Sequence, residues 1–197
     1  MKTLIISLKI FLFFTVLTGV IYPLLITGIA QVVFPSKANG SMIAIDGKVV
    51  GSALIGQQFD SSIYFTSRPS ATSYNALPSG GSNYGLTSLK LKQLVDERRH
   101  KFIAFNQLDS LAEIPSEMLF ASASGLDPHI SPKAALLQIE RVANARGFNK
   151  TQKQQLQDLV KHKTEKLQFT LFGEPRINIL ALNIELDKLD KIKTNNK

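Results

Sequence analysis

A chain of 197 residues is long enough for one domain with its own hydrophobic core, once any membrane segment is set apart. It contains no cysteine, which excludes disulfides, a thiolate metal site and a cysteine nucleophile. The formal net charge of +8 suits an anionic partner, whether nucleic acid, anionic lipid or an acidic protein surface. His100, His129 and His162 lie far apart in sequence, so we expect no metal site.

The N-terminal segment is apolar. Residues 10–34 read IFLFFTVLTGVIYPLLITGIAQVVF and include no charged residue. As a helix they would be roughly 37 Å long, more than the bilayer core of about 30 Å. A cleavable signal peptide is the alternative, because Gly28-Ile29-Ala30 is a small-x-small triplet, but the apolar region of such a peptide normally has about 7–15 residues. We therefore predict an uncleaved anchor in residues 1–35 and one soluble domain in residues 36–197.

The charges beside this segment predict its orientation. Lys2, Lys9 and the free amino terminus precede it, whereas Lys37 is the only charged residue between its end and Asp46. Because positively charged flanks tend to stay in the cytoplasm, we predict a cytoplasmic N-terminus and an extracytoplasmic C-terminal domain in the bacterial cell membrane. Such a domain rarely meets nucleic acid, so we expect membrane lipid or an acidic partner surface instead.

Three features follow the anchor. Residues 35–41 (PSKANGS) are typical of a short linker. β-Branched residues on both sides of Asp46-Gly47 predict two strands joined by a tight turn. Residues 60–85 are rich in Ser, Asn, Pro and Gly and show no periodicity, which predicts a long loop that is ordered or bound to a partner.

Helical spacing begins after this loop. Apolar residues recur on one face from about Thr87 to Asn106, and the other face carries ERRHK (97–101), which we interpret as solvated rather than as a binding patch. Ser131-Pro132 predicts the N-cap and first residue of a helix that ends before Gly147.

The C-terminal part continues this mixture of elements. Residues 151–167 repeat the helical pattern, residues 176–186 start as a strand and turn helical, and residues 188–197 are typical of a frayed polar tail. Together with the hairpin, they predict an α+β domain behind a single transmembrane helix.

One short turn contains the residue types of a serine hydrolase. Asp127, His129 and Ser131 supply an acid, a base and a nucleophile. Residues two apart along a tight turn seldom converge, however, and no G-x-S-x-G elbow is present. Asp-Pro commonly opens a turn, and Ser131 is needed as a helix cap. We favour a structural or docking turn with no catalytic residue, and keep a membrane-anchored exported hydrolase as the alternative.

Residues 68–85 form a second stretch rich in polar residues and glycine, but its pattern is only weakly indicative of nucleotide binding. SGGSNYG (79–85) is rich in Gly but lacks the G-K-[ST] ending that binds phosphate and magnesium. Arg68, beside Pro69 and Ser70 and close to Asn75, would either bind an anion or satisfy loop carbonyls.

The anchor has features of a helix contact. Thr15 and Gly19 form a small-xxx-small face, and Pro23 has no N–H for the carbonyl of Gly19. We predict that another helix contacts Thr15, Gly19 and Pro23, with a simple kink in a lone anchor as the alternative.

Seven segments together resemble one known family. They are Tyr22-Pro23-Leu24, GSALIGQQF (51–59), YFTSRPSATSYN (64–75), SGGSNYG (79–85), SASGLDPHISP (122–132), QIERVANARG (138–147) and GEPRINILALNIELD (173–187). In these segments and their order the chain is similar to the C chain of the bacterial Kdp-type potassium-transporting ATPase. The resemblance covers nearly the whole sequence.

The resemblance implies an accessory subunit of a high-affinity potassium uptake complex. Its partners would be a channel-like subunit that binds potassium and a P-type subunit that hydrolyses ATP through an aspartyl phosphate. The C chain of this family is described as stabilising the assembly and as a catalytic chaperone that raises the ATP affinity of the pump subunit. The sequence has neither a D-K-T-G-T motif nor a Walker A loop, so ATP would act through the complex.

Within the two stretches most specific to the family, we predict a partner-docking surface. The residues assigned to it are Arg68, Pro69, Ser70, Asn75, Ser124, Gly125, Leu126, Asp127, Pro128, His129 and Ser131.

Overall fold

The computed structural model describes residues 1–195 of the chain, with side chains up to Asp190. One long apolar helix precedes a mixture of helices and two small sheets, so the predicted α+β class with a single apolar N-terminal helix is confirmed. The chain separates into two compact units, Met1–Ser52 and Ala53–Lys197. The predicted division after residue 35 concerns the membrane boundary and stays a prediction.

The first unit begins with a helical rod. It consists of α1 (Lys2–Val16), a π-helical turn (Leu17–Ile21) and α2 (Tyr22–Val33), and it is long and apolar enough to cross a membrane. The π turn has a local cause, because Pro23 cannot donate a backbone hydrogen bond in the ordinary register. The N–H of Tyr22 donates to the carbonyl of Leu17, five residues earlier. The rod therefore passes the proline without ending.

The first unit ends in a hairpin. Strands β1 (Met42–Ile45) and β2 (Lys48–Ser52) pair antiparallel, as predicted. Asp46 and Gly47 have φ of +49° and +77°, the left-handed conformation that a two-residue turn requires. The prediction of a linker at residues 35–41 was wrong in part, because Pro35–Ala38 form a helical turn, α3. Proline favours the first helical position, since its φ is already helical.

The second unit combines helices, one small sheet and long loops. Its elements are α4 (Leu89–Asn106), a 3₁₀ turn (Ser116–Met118), β3 (His129–Ile130), α5 (Pro132–Leu136), α6 (Ile139–Ala145), α7 (Lys150–His162), β4 (Ile177–Asn178) and α8 (Ile179–Asn195). Strands β3 and β4 pair antiparallel, with His129 opposite Asn178. Residues 53–88 have no helix or strand, which confirms the predicted long loop.

Apolar side chains from the helices, the short strands and the loops of this unit form one core. Its fully buried members include Phe65, Ala134, Val142, Leu156, Ile177, Leu182 and Leu186. Phe65 is the member contributed by the long loop and is 0% exposed. Burying such a side chain contributes about 1.5–3 kcal/mol, so this contact holds the loop against the helices.

Two predicted helices differ from the observed ones. The helix after Ser131 is divided into α5 and α6 at Leu137 and Gln138, where the N–H of Gln138 donates to the carbonyl of Ala135, three residues earlier, at 3.0 Å. Helix α7 ends at His162 instead of Leu167, because the backbone of Glu165 pairs with that of Arg176.

The C-terminal tail is also different from the prediction. Helix α8 continues to Asn195, so the prediction of a frayed tail was wrong for residues 188–195, and residues 196–197 lie outside the described residues. Leu186 is buried, and Asp187 and Asp190 both pair with Arg146 at 2.7 and 3.1 Å. These tertiary contacts stabilise a segment whose sequence is polar.

Candidate docking site formed by two loops

Two loops of the second unit lie against each other. We call residues 53–85 the Arg68 loop and residues 119–131 the Asp127 loop. The backbone N–H of Gly56 donates to Leu126 at 2.7 Å, and that of Gly80 donates to Ser124 at 3.0 Å. The N–H of Ser122 donates to Pro69 at 3.4 Å. The Arg68 loop and the Asp127 loop thus form one surface.

Buried polar side chains hold the Arg68 loop on the helices. Gln138 is 0% exposed, and its Oε1 accepts from the backbone N–H of Thr66 at 2.8 Å. Asn183 of α8 bonds both the N–H and the carbonyl of Phe65, each at 2.9 Å. Because unpaired buried amides are costly, these pairs fix the path of the loop before it reaches Arg68.

Arg141 of α6 extends this network. Its guanidinium donates to the carbonyls of Ser62 and Tyr64 at 2.6 and 2.9 Å and to Gln138 Oε1 at 2.9 Å. It also donates from Nε to Asn106 Oδ1 at 2.9 Å. Burial lowers its pKa to about 10. Arg141 has no carboxylate partner among the described residues, so the carbonyl oxygens that accept its hydrogen bonds stabilise the buried charge.

An ion pair closes the two loops. Arg68 Nη1 lies 2.7 Å from Asp127 Oδ2, and both side chains are partly buried. The other oxygen of Asp127 accepts from the backbone N–H of His129 at 3.0 Å and lies 3.4 Å from His129 Nδ1. Burial alone would raise the pKa of the Asp127 carboxyl, but the hydrogen bonds from His129 and Arg68 outweigh it and lower that pKa to about 2.

Gly125 allows the closest approach of the loops. Its φ is +72°, and a Cβ there would lie 2.7 Å from Thr72 Oγ1 and 3.0 Å from the carbonyl of Gly80. Gly56 is similar, since a Cβ would lie 2.7 Å from the carbonyl of Asp127. Backbone contact at both positions therefore excludes larger residues.

The Arg68 loop is also ordered within itself. Ser70 Oγ accepts from the N–H groups of Thr72 and Tyr74 at 3.2 and 2.9 Å, and the hydroxyl of Tyr74 donates to the carbonyl of Arg68. Asn75 Oδ1 accepts from the N–H of Leu77 at 3.1 Å. Of the residues assigned to docking, Ser70 and Asn75 thus shape their own turn, and the Leu77-Pro78 bond beyond it is cis.

Ser131 serves the backbone. Its Oγ accepts from the N–H of Ala134 at 3.1 Å as the N-cap of α5, and its own N–H donates to Glu117 Oε1 at 3.2 Å. Asp127 and His129 do contact each other, but within the described residues no hydrogen bond joins Ser131 Oγ to His129. The geometry therefore does not favour the hydrolase alternative.

A cleft of about 420 Å³ opens beside the Arg68 loop. Its charged lining residues are three cations and one acid, Arg68, Arg98, Lys101 and Asp60, and its aromatic ones include Tyr74 and Phe105. The interpretation of residues 97–101 as a fully solvated face needs correction here, because Arg98 is partly buried and donates to the carbonyl of Leu119 at 2.9 Å. Desolvation lowers the pKa of Arg98. Because Asp60 also lines the cleft and Arg68 is paired with Asp127, its excess positive charge rests on Arg98 and Lys101, and a net basic, aromatic cleft suits an acidic partner segment.

Sequence reasoning missed the buried polar network and Arg98. A signal was present, because Gln138 and Arg141 are three apart, next to the apolar stripe of their helix, so one face of that helix carries both. Their loop partners, Ser62 to Thr66, lie more than 70 residues earlier, and no local pattern identifies them.

The residues assigned to a membrane contact lie on the rod. Thr15 Oγ1 donates to the carbonyl of Phe11 at 2.8 Å, so its hydroxyl is already paired within the helix. A Cβ at Gly19 would meet no atom of the described residues within 4 Å. Pro23 follows the π turn. A second helix could approach Gly19 closely, and this contact stays a prediction.

The fold and this surface define a single-pass, membrane-anchored α+β protein with a rigid two-loop face. The profile of a family described as "K+-transporting ATPase, c chain" matches residues 4–188. The chain belongs to this family, the C chain of the potassium-transporting ATPase.

Individual relatives agree over nearly their full length. A protein of Caldanaerobacter subterraneus subsp. tengcongensis is 44% identical over 191 residues, 97% of this chain and 96% of its own. One of Dechloromonas aromatica is 48% identical over 195 residues, 97% of this chain and 100% of its own. A third, of Herpetosiphon aurantiacus, is 48% identical over 189 residues, 94% and 96% of the two chains. Each is named "Potassium-transporting ATPase KdpC subunit".

Proposed function

We propose that this subunit stabilises the potassium-transporting complex through its two-loop face and raises the affinity of the ATP-hydrolysing subunit for ATP. The observation that carries the proposal is the fold of the two family-specific stretches onto each other, closed by the Arg68–Asp127 ion pair. A face held by an ion pair, buried amides and glycine contacts is preorganised, and preorganisation lowers the entropic cost of docking.

The orientation of the chain determines how it acts on ATP. We place the N-terminus in the cytoplasm and the second unit outside, because Lys2 and Lys9 precede the span. Since ATP is cytoplasmic, the second unit acts on nucleotide affinity through the complex and holds no cofactor itself. If the pump subunit has one conformational state that binds both this chain and ATP more tightly, docking raises its ATP affinity. The coupling free energy between the two binding events is the same in both directions.

Two partners follow from the family. One is the channel-like, potassium-binding subunit, and the other is the P-type, ATP-hydrolysing subunit. The cationic cleft with Arg98 and Lys101 supports docking of an acidic extracytoplasmic segment of one of them, by charge complementarity. Thr15, Gly19 and Pro23 provide the contact within the membrane.

Subunit recovery tests the docking face. We expect the double variant Arg68→Gln, Asp127→Asn to release this chain from the detergent-extracted complex more readily than the wild type. Lys133→Gln is the matched control, because its ion pair with Glu113 at 2.5 Å is exposed and both of its residues lie outside the Arg68 loop and the Asp127 loop. Equal recovery of all three would contradict a role of the face in assembly.

The dependence of activity on ATP concentration tests whether this subunit raises the ATP affinity of the ATP-hydrolysing subunit. Potassium-stimulated phosphate release should show a higher KM for ATP when this subunit is absent or only weakly bound. If the KM is unchanged while the remaining subunits stay active, the chain stabilises the assembly and does not act on ATP affinity.

Under the hydrolase alternative, by contrast, the chain alone would hydrolyse an ester substrate and lose that activity in His129→Gln.

A further inference from the structure

An apolar hairpin follows α7. In residues 165–176, the N–H of Glu165 donates to the carbonyl of Arg176 at 2.8 Å, and the N–H of Gln168 donates to that of Phe172 at 2.9 Å. Phe169 and Thr170 at its tip have φ of +53° and +61°. We call this segment the 165–176 hairpin.

The tip of the hairpin is apolar and exposed. Phe169 is 89% exposed, Leu171 73% and Phe172 61%. Left-handed backbone at a phenylalanine is uncommon, and it turns these side chains away from the core of their own unit. Three large neighbouring apolar side chains on one turn form a patch of the kind that marks a protein or membrane contact.

Basic residues flank this patch in the sequence. Within residues 161–176 there are four, Lys161, Lys163, Lys166 and Arg176, against two acids, Glu165 and Glu174. Arg176 pairs with Glu165 at 2.9 Å, Lys163 with Glu185 of α8 at 3.3 Å and Lys161 with Asp158 at 3.4 Å, whereas the exposed Lys166 makes no ion pair among the described residues. Apolar side chains at a tip with basic residues behind them match the interface of a bilayer with anionic lipid.

The chain's own span keeps the second unit at a bilayer. The span ends at Val33 and the second unit begins at Ala53, so a short segment connects them. We propose that Phe169, Leu171 and Phe172 insert into the boundary between headgroups and acyl chains of the membrane that carries the anchor. Lys166 and its basic neighbours would contact anionic headgroups. This proposal rests on the anchor and not on the proposed function.

The sequence contains no tryptophan, so a single introduced tryptophan is the only source of tryptophan fluorescence. Phe169→Trp places a single fluorophore at an exposed tip, where it disturbs no core contact. Leu111→Trp is the matched control, since Leu111 is 88% exposed and lies in a different loop. The full-length chain, purified alone, is reconstituted into vesicles of phosphatidylethanolamine and phosphatidylglycerol with or without brominated acyl chains.

We expect brominated lipid to remove most of the Phe169→Trp emission and to leave that of Leu111→Trp nearly unchanged. Replacing phosphatidylglycerol by phosphatidylcholine, or adding Lys166→Gln, should reduce the quenching. Leu171→Trp should repeat the result for Phe169→Trp.

Three outcomes would overturn the proposal. Phe169→Trp and Leu171→Trp could both stay unquenched and accessible to acrylamide, which would leave the hairpin in water. Both positions and Leu111→Trp could be quenched equally, which would mean that contact is not specific to the hairpin. The reporters could also be unquenched by lipid while Phe169→Ser weakens recovery of the complex, which would assign the hairpin to a groove of a partner subunit.

Discussion

Arg68 Nη1 and Asp127 Oδ2 lie 2.7 Å apart, although 59 residues separate them in sequence. Each residue belongs to one of the segments on which the resemblance to the family was based, and the ion pair joins the two segments. Several properties of the second unit follow from this contact and its surroundings.

Stability should depend on the charge of Asp127. Its pKa in the folded protein is about 2, below the ordinary value of 3.8, so ionised Asp127 stabilises the fold above about pH 4. That contribution is lost as the pH falls from about 4 towards 2. We expect Asp127→Asn to lower the free energy of unfolding by about 1–2 kcal/mol at pH 7, after allowance for partial exposure.

Urea unfolding of the full-length chain in mild detergent, measured between pH 7 and pH 2, checks this expectation. The difference between wild type and Asp127→Asn should shrink towards pH 2. A difference that stays constant over the whole range would show that the charge of Asp127 is not the cause.

Gly125 should not tolerate alanine. At φ +72° with a Cβ 2.7 Å from Thr72 Oγ1, Gly125→Ala combines backbone strain with a clash, and we expect a loss of more than about 2 kcal/mol. Gly47→Ala is the control for strain alone, because Gly47 has φ +77° and no described atom within 4 Å of a Cβ. The two thermal unfolding midpoints separate strain from clash, and equal losses would contradict close loop packing.

Arg141 should be essential for the fold of the Arg68 loop. Arg141→Met keeps most of the volume but removes the guanidinium donor from the carbonyls of Ser62 and Tyr64 and from Asn106 Oδ1. We expect a loss of about 3–5 kcal/mol, since each unpaired buried group costs about 1–3 kcal/mol. Arg99→Met, which removes only long bonds of 3.4 and 3.2 Å, should cost well under 1 kcal/mol. Denaturant midpoints of both variants give the comparison.

At the N-cap position of α5, residue 131, asparagine should replace serine better than aspartate does. Ser131→Ala should cost about 0.5–2 kcal/mol, and Ser131→Asn should restore most of it. Ser131→Asp should restore less, because Glu117 Oε1 lies 3.2 Å from the backbone nitrogen of Ser131 and would repel a second carboxylate. If all three variants unfold at the same denaturant concentration, Ser131 does not act as the cap.

Bulk at Gly19 should weaken assembly and leave the second unit intact. Gly19→Leu forces a neighbouring helix away from the small-xxx-small face, so we expect less of the chain to copurify with the other subunits. Gly28→Leu is the control, because the residue four positions before Gly28 is Leu24. Subunit recovery is compared with the thermal unfolding of each variant, and equal recovery for both would place the contact elsewhere.

Local signals in the sequence determined several features of this protein. A long uncharged segment predicted the membrane span, Asp46-Gly47 the hairpin turn, and Ser131-Pro132 the start of a helix. Each signal acts between residues that are close in the chain, where backbone preference and hydrophobic periodicity decide the outcome. The family was also recognisable, because its specific stretches are continuous.

Only the tertiary structure decided how these stretches meet. The buried side chain of Gln138 holds the backbone of Thr66, and α8 continues through a polar tail where Arg146 pairs with Asp187 and Asp190. The partners in these contacts are 41 to 72 residues apart, and their pairing depends on desolvation and loop closure. Local sequence preference carries no information on either, so the ion pair between Arg68 and Asp127 became visible only in the folded chain, although both residues were assigned to docking from the sequence.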